Sequence, residues 1–197
     1  MFPLFIIGMG FFVWAALSHA QNIAPNAFHY QLQGARFNQL KKLNGYFLVL
    51  DIDDAKLNKT QLNALRKKGV TPFSYLSIGE AENYRSYWKS NWRAGKPTFI
   101  DAENPDWAGN FKVRYWDPRW QKIILKQVRK IAQAGYSGVY LDIIDAYEYY
   151  ENKGRKNAAL EMVQFVSKIQ QAGRAVNRQF MIVPQNSPEL YEFETYR

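Results

Sequence analysis

Cysteine is absent from this 197-residue sequence, and histidine occurs only twice. A chain without cysteine forms no disulfide, so its hydrophobic core alone must hold the fold together. Two histidines and no cysteine cannot supply the ligands of a zinc site. One of them, His19, lies in the apolar N-terminal segment, which leaves His29 alone for histidine-based nucleophilic catalysis. We therefore expect no zinc centre and look to other side chains for catalytic chemistry.

Glycine-rich phosphate loops are also missing. The sequence contains neither GxGxxG nor GxxxxGK followed by Ser or Thr, which removes the usual nucleotide-binding signatures. The acidic run Asp51–Asp54 resembles the start of a calcium-binding loop. However, Ala55 occupies the third ligand position and the required glycine is absent. We expect no metal ion and no cofactor.

The charge balance is basic, with 26 Lys and Arg against 17 Asp and Glu and a formal net charge of +9. Such a balance raises the question of a nucleic-acid partner. The basic residues are scattered along stretches of helical pattern, which favours solvated helix faces, and we expect no nucleic acid. An anionic polymer or a cell-envelope surface stays open as a partner. The scattered positions are Lys41, Lys42, Arg66, Lys67, Lys68, Lys122, Lys126, Arg129 and Lys130.

The first twenty residues have the pattern of an export signal. Phe2–Leu17 is apolar and is followed by Ser18, His19 and Ala20, which place small residues where signal peptidase needs them. A membrane-spanning helix needs about 20 apolar residues, more than this run offers. We predict a signal peptide over residues 1–20 with cleavage after Ala20, and one secreted or periplasmic domain over 21–197 without a stable membrane span. An uncleaved membrane anchor is the alternative.

Beyond this segment, short apolar runs alternate with amphipathic ones. Helices are predicted over Thr60–Lys68, from the N-cap Asp117 to Gly135, and over Ala158–Gln171. Strands that are apolar throughout and separated by helices indicate an α/β fold with a parallel sheet. The predicted strands lie at Phe28–Gln33, Tyr46–Asp51, Pro72–Ile78, Gly138–Ile144 and Phe180–Val183.

The strand count limits the architecture. A closed (β/α)8 barrel needs eight strands and roughly 250 residues, whereas five strands are countable here. Either the sheet is open and doubly wound, or the chain forms an incomplete barrel. The polar stretch Ser90–Asn110 between the third and fourth strands is long enough to be a functional loop.

Polar side chains follow the predicted strands where each one ends. In a parallel α/β sheet these ends share one rim, where ligands bind. Asp142 stands out because its neighbours are apolar, and a carboxylate is costly there unless it is paired or functional. A structural interpretation stays open for the others, for example a helix first turn or a helix N-cap. The residues at strand ends are Asp51, Glu80, Asp142, Asp145 and Asn186.

Two-carboxylate chemistry is the enzyme class that these residue types allow. One acid protonates a leaving oxygen while the other attacks or activates water, as in glycoside hydrolysis. Tyr and Trp also present flat apolar faces with a polar edge, which suits a wet sugar-binding cleft. Such residues near the acids in sequence are Tyr75, Trp88, Trp92, Trp107, Trp116, Tyr140 and Tyr147.

Several long motifs, in one register from Tyr30 to Glu189, resemble the polygalactosaminidase-type glycoside hydrolases and their bacterial relatives. They are YQLQG at Tyr30–Gly34, YLSIGEAENYRSYW at Tyr75–Trp88, NPDWAGNFKVRYWDPRWQ at Asn104–Gln121, GVYLDIIDAYEYY at Gly138–Tyr150 and IVPQN at Ile182–Asn186. The resemblance implies a (β/α)8 TIM barrel of which about the first five βα units are present. It also implies export and hydrolysis of an α-1,4-linked galactosamine-containing polysaccharide.

The resemblance places the family's acid at the end of the fourth predicted strand on Asp142, with Asp145 close behind. A second catalytic acid is expected from a strand beyond the fifth, and Glu80 on the same rim is a further candidate. A non-catalytic carbohydrate-binding barrel is the alternative function. A deacetylated galactosamine polymer is cationic, so an acetylated or anionic glycan suits the +9 charge better. The expected substrate-binding residues are Tyr30, Gln33, Asp51, Tyr75, Arg114, Trp116, Tyr147 and Asn186.

Overall fold

A computed structural model describes residues 27–192, which form a parallel sheet with helices and a small second sheet. The predicted signal peptide over residues 1–20 lies outside the described residues. The elements, in chain order, are β1 Ala27–Gln31, α1 Phe37–Leu40, β2 Tyr46–Leu50, α2 Ile52–Ala55, α3 Lys59–Arg66, β3 Thr71–Ser77, β4 Glu80–Glu82, β5 Ile100–Glu103, β6 Asn110–Val113, α4 Pro118–Ala134, β7 Gly138–Asp142, α5 Ala146–Glu151, α6 Ala158–Arg174, β8 Met181–Pro184 and a 3-10 turn at Pro188–Glu192.

The main sheet has five parallel strands in the order β1-β2-β3-β7-β8. These are the five strands predicted from the sequence, and each neighbouring pair is parallel. Neighbours in the sheet are also consecutive among these five strands, which is the connectivity of a barrel-type α/β fold. Within residues 27–192 the sheet is open, with β1 and β8 at its edges. The barrel-type fold class is confirmed.

Helix α4 forms for the reasons visible in its sequence. The side chain of Asp117 accepts a hydrogen bond from the backbone N–H of Arg119, Pro118 occupies the first turn, and Gly135 ends the helix at φ 103°. Trp120, Ile124, Val128 and Ile131 are buried along one face, as their spacing predicts. Helix α4 packs against α6, and both helices cover one face of the parallel sheet. No helix within the described range 27–192 is long and apolar enough to cross a membrane.

A small antiparallel sheet in the order β4-β6-β5 lies between β3 and α4. Its strands are only three or four residues long and largely polar, so the hydrophobic pattern predicted a loop over Ser90–Asn110 instead. Glu80, for which the sequence also allowed a position in the first turn of a helix, begins strand β4. The β4 strand starts three residues after β3 ends, so the small sheet stands at the carboxyl end of the parallel sheet.

The two faces of the parallel sheet differ. The face under the helices carries fully buried aliphatic residues, whereas the opposite face is aromatic and built around Val49, Phe73 and Tyr75. On that aromatic face Phe28 is 55% exposed and Tyr30 is 43% exposed. The sequence predicted a sheet covered on both faces, and residues 27–192 cover only one of them fully.

Candidate active site

Asp142 is the last residue of β7 and is half-buried at the carboxyl end of the sheet. The hydroxyl of Tyr75 donates to its Oδ2 at 2.6 Å, and the backbone N–H of Ile143 donates to its Oδ1 at 2.8 Å. Tyr75 and Asp142 therefore meet across the neighbouring strands β3 and β7. Because each carboxylate oxygen has its own donor, the side chain is held in one orientation at the rim.

The backbone next to Asp142 is strained. Ile143 has φ 57°, in the left-handed region that a β-branched residue rarely adopts. Gly79, just after β3, packs directly against it, and a Cβ on Gly79 would lie 2.1 Å from the carbonyl oxygen of Ile143. Strain of this kind persists only where the surrounding packing imposes it, and it clusters at functional sites. The packing of Gly79 on Ile143 therefore fixes the turn that carries Asp142.

An arginine stands at the centre of the carboxylates on this rim. Arg85 Nη1 lies 2.7 Å from Asp51 Oδ2 and 3.5 Å from Asp53 Oδ2, and Arg85 Nε lies 2.6 Å from Glu82 Oε2. Burial lowers the pKa of Arg85, but the charges of Glu82 and Asp51 and the bond to Glu82 outweigh it and raise the pKa above its ordinary value. Arg85 therefore stays charged and ties the end of β2 to β4.

Tyr75 and Tyr30 respond to the same negative charges. Burial, and then the charge of Asp142, raises the pKa of Tyr75 well above its ordinary value, so its hydroxyl stays a donor. Burial raises the pKa of Tyr30 to about 12, with further contributions from Asp142 and Tyr140. Tyr30 packs edge-on against Tyr140, with ring centroids 5.8 Å apart. The rim therefore combines carboxylates with a half-exposed aromatic surface.

Glu80 is held differently from Asp142, although both were predicted as catalytic acids. Glu80 is only 1% exposed, and its Oε1 accepts from Asn104 Nδ2 at 2.9 Å and pairs with Lys112 Nζ at 3.5 Å. Its Oε2 is buried and finds no hydrogen-bond partner within residues 27–192. Asp145, the third predicted acid, is exposed at the N-cap position of α5 and makes no side-chain capping bond.

Two of the predicted substrate-binding residues lie near the end of β8, on the same rim. The hydroxyl of Tyr147 donates to Glu189 Oε1, and Asn186 carries a buried Oδ1 without a partner in the described part of the chain. Gln33 is exposed after β1, and its backbone carbonyl accepts from Gln31 Nε2 at 3.1 Å. The contacts of these three residues do not reach Asp142.

Arg114 and Trp116 lie apart from the Asp142 carboxylate. They line a groove together with Asp101, Tyr150, Lys153 and Arg155. The hydrogen bonds to Asp142 come from Tyr75 and the main chain, so the groove is a second feature of this end of the molecule.

Sequence reasoning missed Glu82 and Arg85. Both lie in the run YLSIGEAENYRSYW, spaced three residues apart as an acid and a base that can pair. An acid and a base three residues apart were the sequence signal that could have identified this pair. The further partner of Arg85, Asp51, stands 34 positions before it, and only the folded chain brings the two together.

The sequence matches the model of glycoside-hydrolase family GH114 over residues 14–195. The chain therefore belongs to this family of glycoside hydrolases. It is similar to an uncharacterised protein of Methanocaldococcus jannaschii, with 38% identity over 175 residues that cover 85% of this chain and 51% of the relative. The chain spans about half the length of that relative.

Two solved structures share the fold. One is Ega3 of Aspergillus fumigatus in complex with galactosamine, with a TM-score of 0.69, 19% identity and coverage of 86% of this chain and 62% of the other. The second is the glycoside hydrolase domain of PelA from Pseudomonas aeruginosa, with a TM-score of 0.63, 19% identity and coverage of 84% and 61%. At these identities the likeness shows the fold alone.

Proposed function

We propose that this protein hydrolyses an α-1,4-linked galactosamine-containing polysaccharide, with Asp142 as one member of a catalytic carboxylate pair. Membership of the GH114 family supports hydrolysis of a glycosidic bond. The observation that carries the role of Asp142 is its place at the end of β7, half-buried, with a donor on each oxygen. The proposed setting is one domain over residues 21–197, secreted or periplasmic after cleavage behind Ala20.

The accessibility of the acids supports Asp142 over its neighbours. In a two-carboxylate mechanism one group protonates the glycosidic oxygen, while the other attacks the anomeric carbon or activates water. Asp142 is partly open to solvent, whereas Glu80 and Glu82 are 1% and 3% exposed and already paired with Lys112 and Arg85. A sugar can therefore reach Asp142 without rearrangement, whereas it cannot reach Glu80 or Glu82. The resemblance to the family expects the second acid from a strand after β8.

The charge of the rim supports an amino sugar as the substrate unit. Asp51, Asp53, Glu82 and Asp142 outnumber the cations bound to them, which are Arg85 and, on Asp53, Lys130. An excess of negative charge attracts the ammonium group of a deacetylated galactosamine.

The aromatic face of the sheet supports the same assignment. Tyr30 is 43% exposed beside Tyr140 and offers a flat face on which a sugar ring can stack. Tyr30 stands on β1 and packs against Tyr140 of β7, the strand that ends at Asp142, so a sugar on the Tyr30 ring would lie near Asp142.

The test is Asp142→Asn, which keeps the shape of the side chain and removes its charge. Release of reducing ends from a galactosamine-containing glycan should fall by about a hundredfold or more, because general acid–base and nucleophilic roles contribute factors of this size. Asp106→Asn, an exposed acid between β5 and β6, is the matched control and should act within twofold of the parent protein.

Two outcomes decide against the proposal. If hydrolysis by Asp142→Asn survives within about tenfold, a barrier difference of roughly 1.4 kcal/mol, Asp142 is not catalytic. If the parent protein binds the glycan but releases no reducing ends, the carbohydrate-binding alternative replaces the enzyme. Melting temperatures of all three proteins show whether a lost activity reflects unfolding.

A further inference from the structure

The groove that contains Arg114 and Trp116 is a cationic concave surface beside the small sheet. It encloses about 380 Å³, and three of its six lining side chains are cations against one carboxylate. Trp116 and Tyr150 form its aromatic wall, with ring centroids 4.6 Å apart in an edge-to-face arrangement. The lining residues are Asp101, Arg114, Trp116, Tyr150, Lys153 and Arg155.

The three cations are not equally occupied by protein partners. Arg155 forms two bonds to Glu161, at 2.6 and 2.7 Å, and its Cζ lies 3.6 Å from the centroid of the Trp116 ring. Lys153 Nζ lies 4.0 Å from Asp101 Oδ2. Arg114 is exposed, and its guanidinium has no hydrogen bond or ion pair with any residue in the described part of the chain. Arg114 is therefore free to bind a ligand.

Tyr150 is a second and independent sign of a ligand. The residue is 4% exposed, yet its hydroxyl has no hydrogen-bond partner within residues 27–192. A buried donor without an acceptor costs about 1–3 kcal/mol, and Tyr150 lines the groove. A ligand that reaches this hydroxyl would satisfy it, and Arg114 and Lys153 line the same groove as further donors.

The groove is joined to the candidate active site by a short series of contacts. Lys112 pairs with Glu80 on strand β4 and also lies 4.8 Å from the ring centroid of Tyr149. Tyr149 packs against Tyr150, with ring centroids 4.9 Å apart. Strand β4 also carries Glu82, which binds Arg85 at the rim. These contacts connect the small sheet beside the acidic rim to the aromatic wall of the groove.

We propose that this groove binds an oxyanion carried by the polysaccharide, a carboxylate or a phosphate. The planar fork of arginine matches both groups, and lysine and tyrosine add donors. A charged galactosamine would be repelled by Arg114, whose charge no protein carboxylate pairs in residues 27–192, whereas an acidic sugar in the same chain would be attracted. The proposal rests on the proposed function in that a glycan is the ligand. An oxyanion would give the basic groove a ligand of opposite charge, which an amino sugar does not supply.

Binding is measured with Asp142→Asn protein, so that no hydrolysis interferes. Polygalacturonate supplies the carboxylate and neutral galactan of similar length is the uncharged reference, with affinities from calorimetry at fixed salt. Arg114→Gln should weaken polygalacturonate binding at least tenfold and leave galactan binding unchanged. Arg129→Gln on α4 removes the same charge from an exposed helix face and should change the affinity by less than twofold.

Tyr150→Phe tests the unpaired hydroxyl. If the hydroxyl donates to the ligand, Tyr150→Phe weakens polygalacturonate binding severalfold without lowering the melting temperature, since no bond within the described protein is lost. Competition by acetate and by inorganic phosphate then identifies the oxyanion. Stronger displacement by acetate assigns a carboxylate, and stronger displacement by phosphate assigns a phosphate-bearing glycan.

The proposal fails if neither polygalacturonate nor inorganic phosphate binds. It also fails if Arg114→Gln and Arg129→Gln weaken binding equally, because attraction is then only to the net charge. Failure of the proposed function looks different, since a protein without hydrolase activity can still bind an acidic glycan through Arg114. Hydrolysis by the parent protein therefore tests the proposed function, and the binding of polygalacturonate by Arg114→Gln tests the groove.

Discussion

Asp142 ends β7, and Glu80 follows three residues after the end of the neighbouring strand β3, yet the protein holds the two acids in opposite ways. Asp142 is half-buried and has a donor on each oxygen. Glu80 is 1% exposed, pairs with Lys112 and leaves one buried oxygen without a partner within residues 27–192. The difference arises because β4 belongs to the small antiparallel sheet, which covers the side chain of Glu80.

This comparison teaches that the end of a strand does not by itself define a catalytic acid. A group that acts on a polysaccharide must be reachable and must be held by partners that leave room for the substrate. Asp142 meets both conditions, and the strained turn at Ile143 is a further mark of a functional position. Glu80 has the surroundings of a group that stabilises the small sheet. Three substitutions would break or sharpen this contrast.

The largest effect is expected from Gly79→Ala. The new Cβ would lie 2.1 Å from the carbonyl oxygen of Ile143 and 2.5 Å from Cβ of Ala146, so the turn must shift. We expect a loss of about 3 kcal/mol in the free energy of unfolding, and a fall in melting temperature of about 8 °C. Hydrolysis should fall as well, because Ile143 holds Asp142 through its N–H.

Gly154→Ala is the control for this substitution. Gly154 has a positive φ, of 87°, which Gly79 does not, and a Cβ on Gly154 would meet nothing within 4 Å. Gly154→Ala therefore measures the cost of backbone strain alone, about 1 kcal/mol in the free energy of unfolding. Equal losses of stability in the two variants would show that the contact between Gly79 and Ile143 is unimportant.

Glu80→Gln comes next in size. The amide keeps the shape of the side chain but leaves Lys112 without its counter-charge. Removing one partner of a fully buried pair costs about 3–5 kcal/mol. Because the Lys112 side chain is 24% exposed and can turn to solvent, we expect about 2 kcal/mol here, a discounted value. Chemical denaturation measures this loss, and the remaining hydrolysis per folded molecule should stay within tenfold.

The double variant Glu80→Gln with Lys112→Gln completes the cycle. The double variant should lose less stability than the sum of the losses in Glu80→Gln and Lys112→Gln, because the two groups are in contact. If Glu80→Gln alone lowers the rate of hydrolysis as far as Asp142→Asn does, with an unchanged melting temperature, Glu80 is assigned to catalysis instead. That result would remove the contrast between the two acids.

The sequence was sufficient for the parallel sheet and for the position of Asp142. One alternating run, Phe28–Gln33, and four mostly apolar runs predicted the five strands, and Asp117 with Gly135 marked both ends of α4. It was insufficient for the small sheet, because strands of three or four residues are too short for a hydrophobic period to stand out. The burial of Glu80 depends on that sheet, so it was hidden for the same reason.

The missed parts of the site have a common cause. Arg85 binds Asp51 from 34 positions away, and Arg155 reaches Trp116 only because α6 begins beside α4. Partners this distant in sequence are set by the tertiary fold. Tyr75 was predicted to bind substrate from its place beside the acids, and that stays a prediction; only the folded chain shows that its hydroxyl also donates to Asp142.

The smallest effect is expected from Tyr75→Phe, which tests how Asp142 is held. The substitution removes only the hydroxyl that donates to Asp142 Oδ2 at 2.6 Å. A hydrogen bond to a charged group contributes about 1.5–3 kcal/mol, and a phenylalanine would leave that carboxylate oxygen to water. We expect kcat to fall about tenfold, equivalent to roughly 1.4 kcal/mol in barrier, while KM stays within threefold.

Tyr140→Phe is the matched control, since Tyr140 lies opposite Tyr75 in the sheet register and its hydroxyl makes no bond to Asp142. If both variants lose activity equally, the aromatic face acts as a surface for the sugar and the Tyr75 hydroxyl has no special role. If Tyr75→Phe raises KM with kcat unchanged, Tyr75 binds the substrate directly and does not position Asp142.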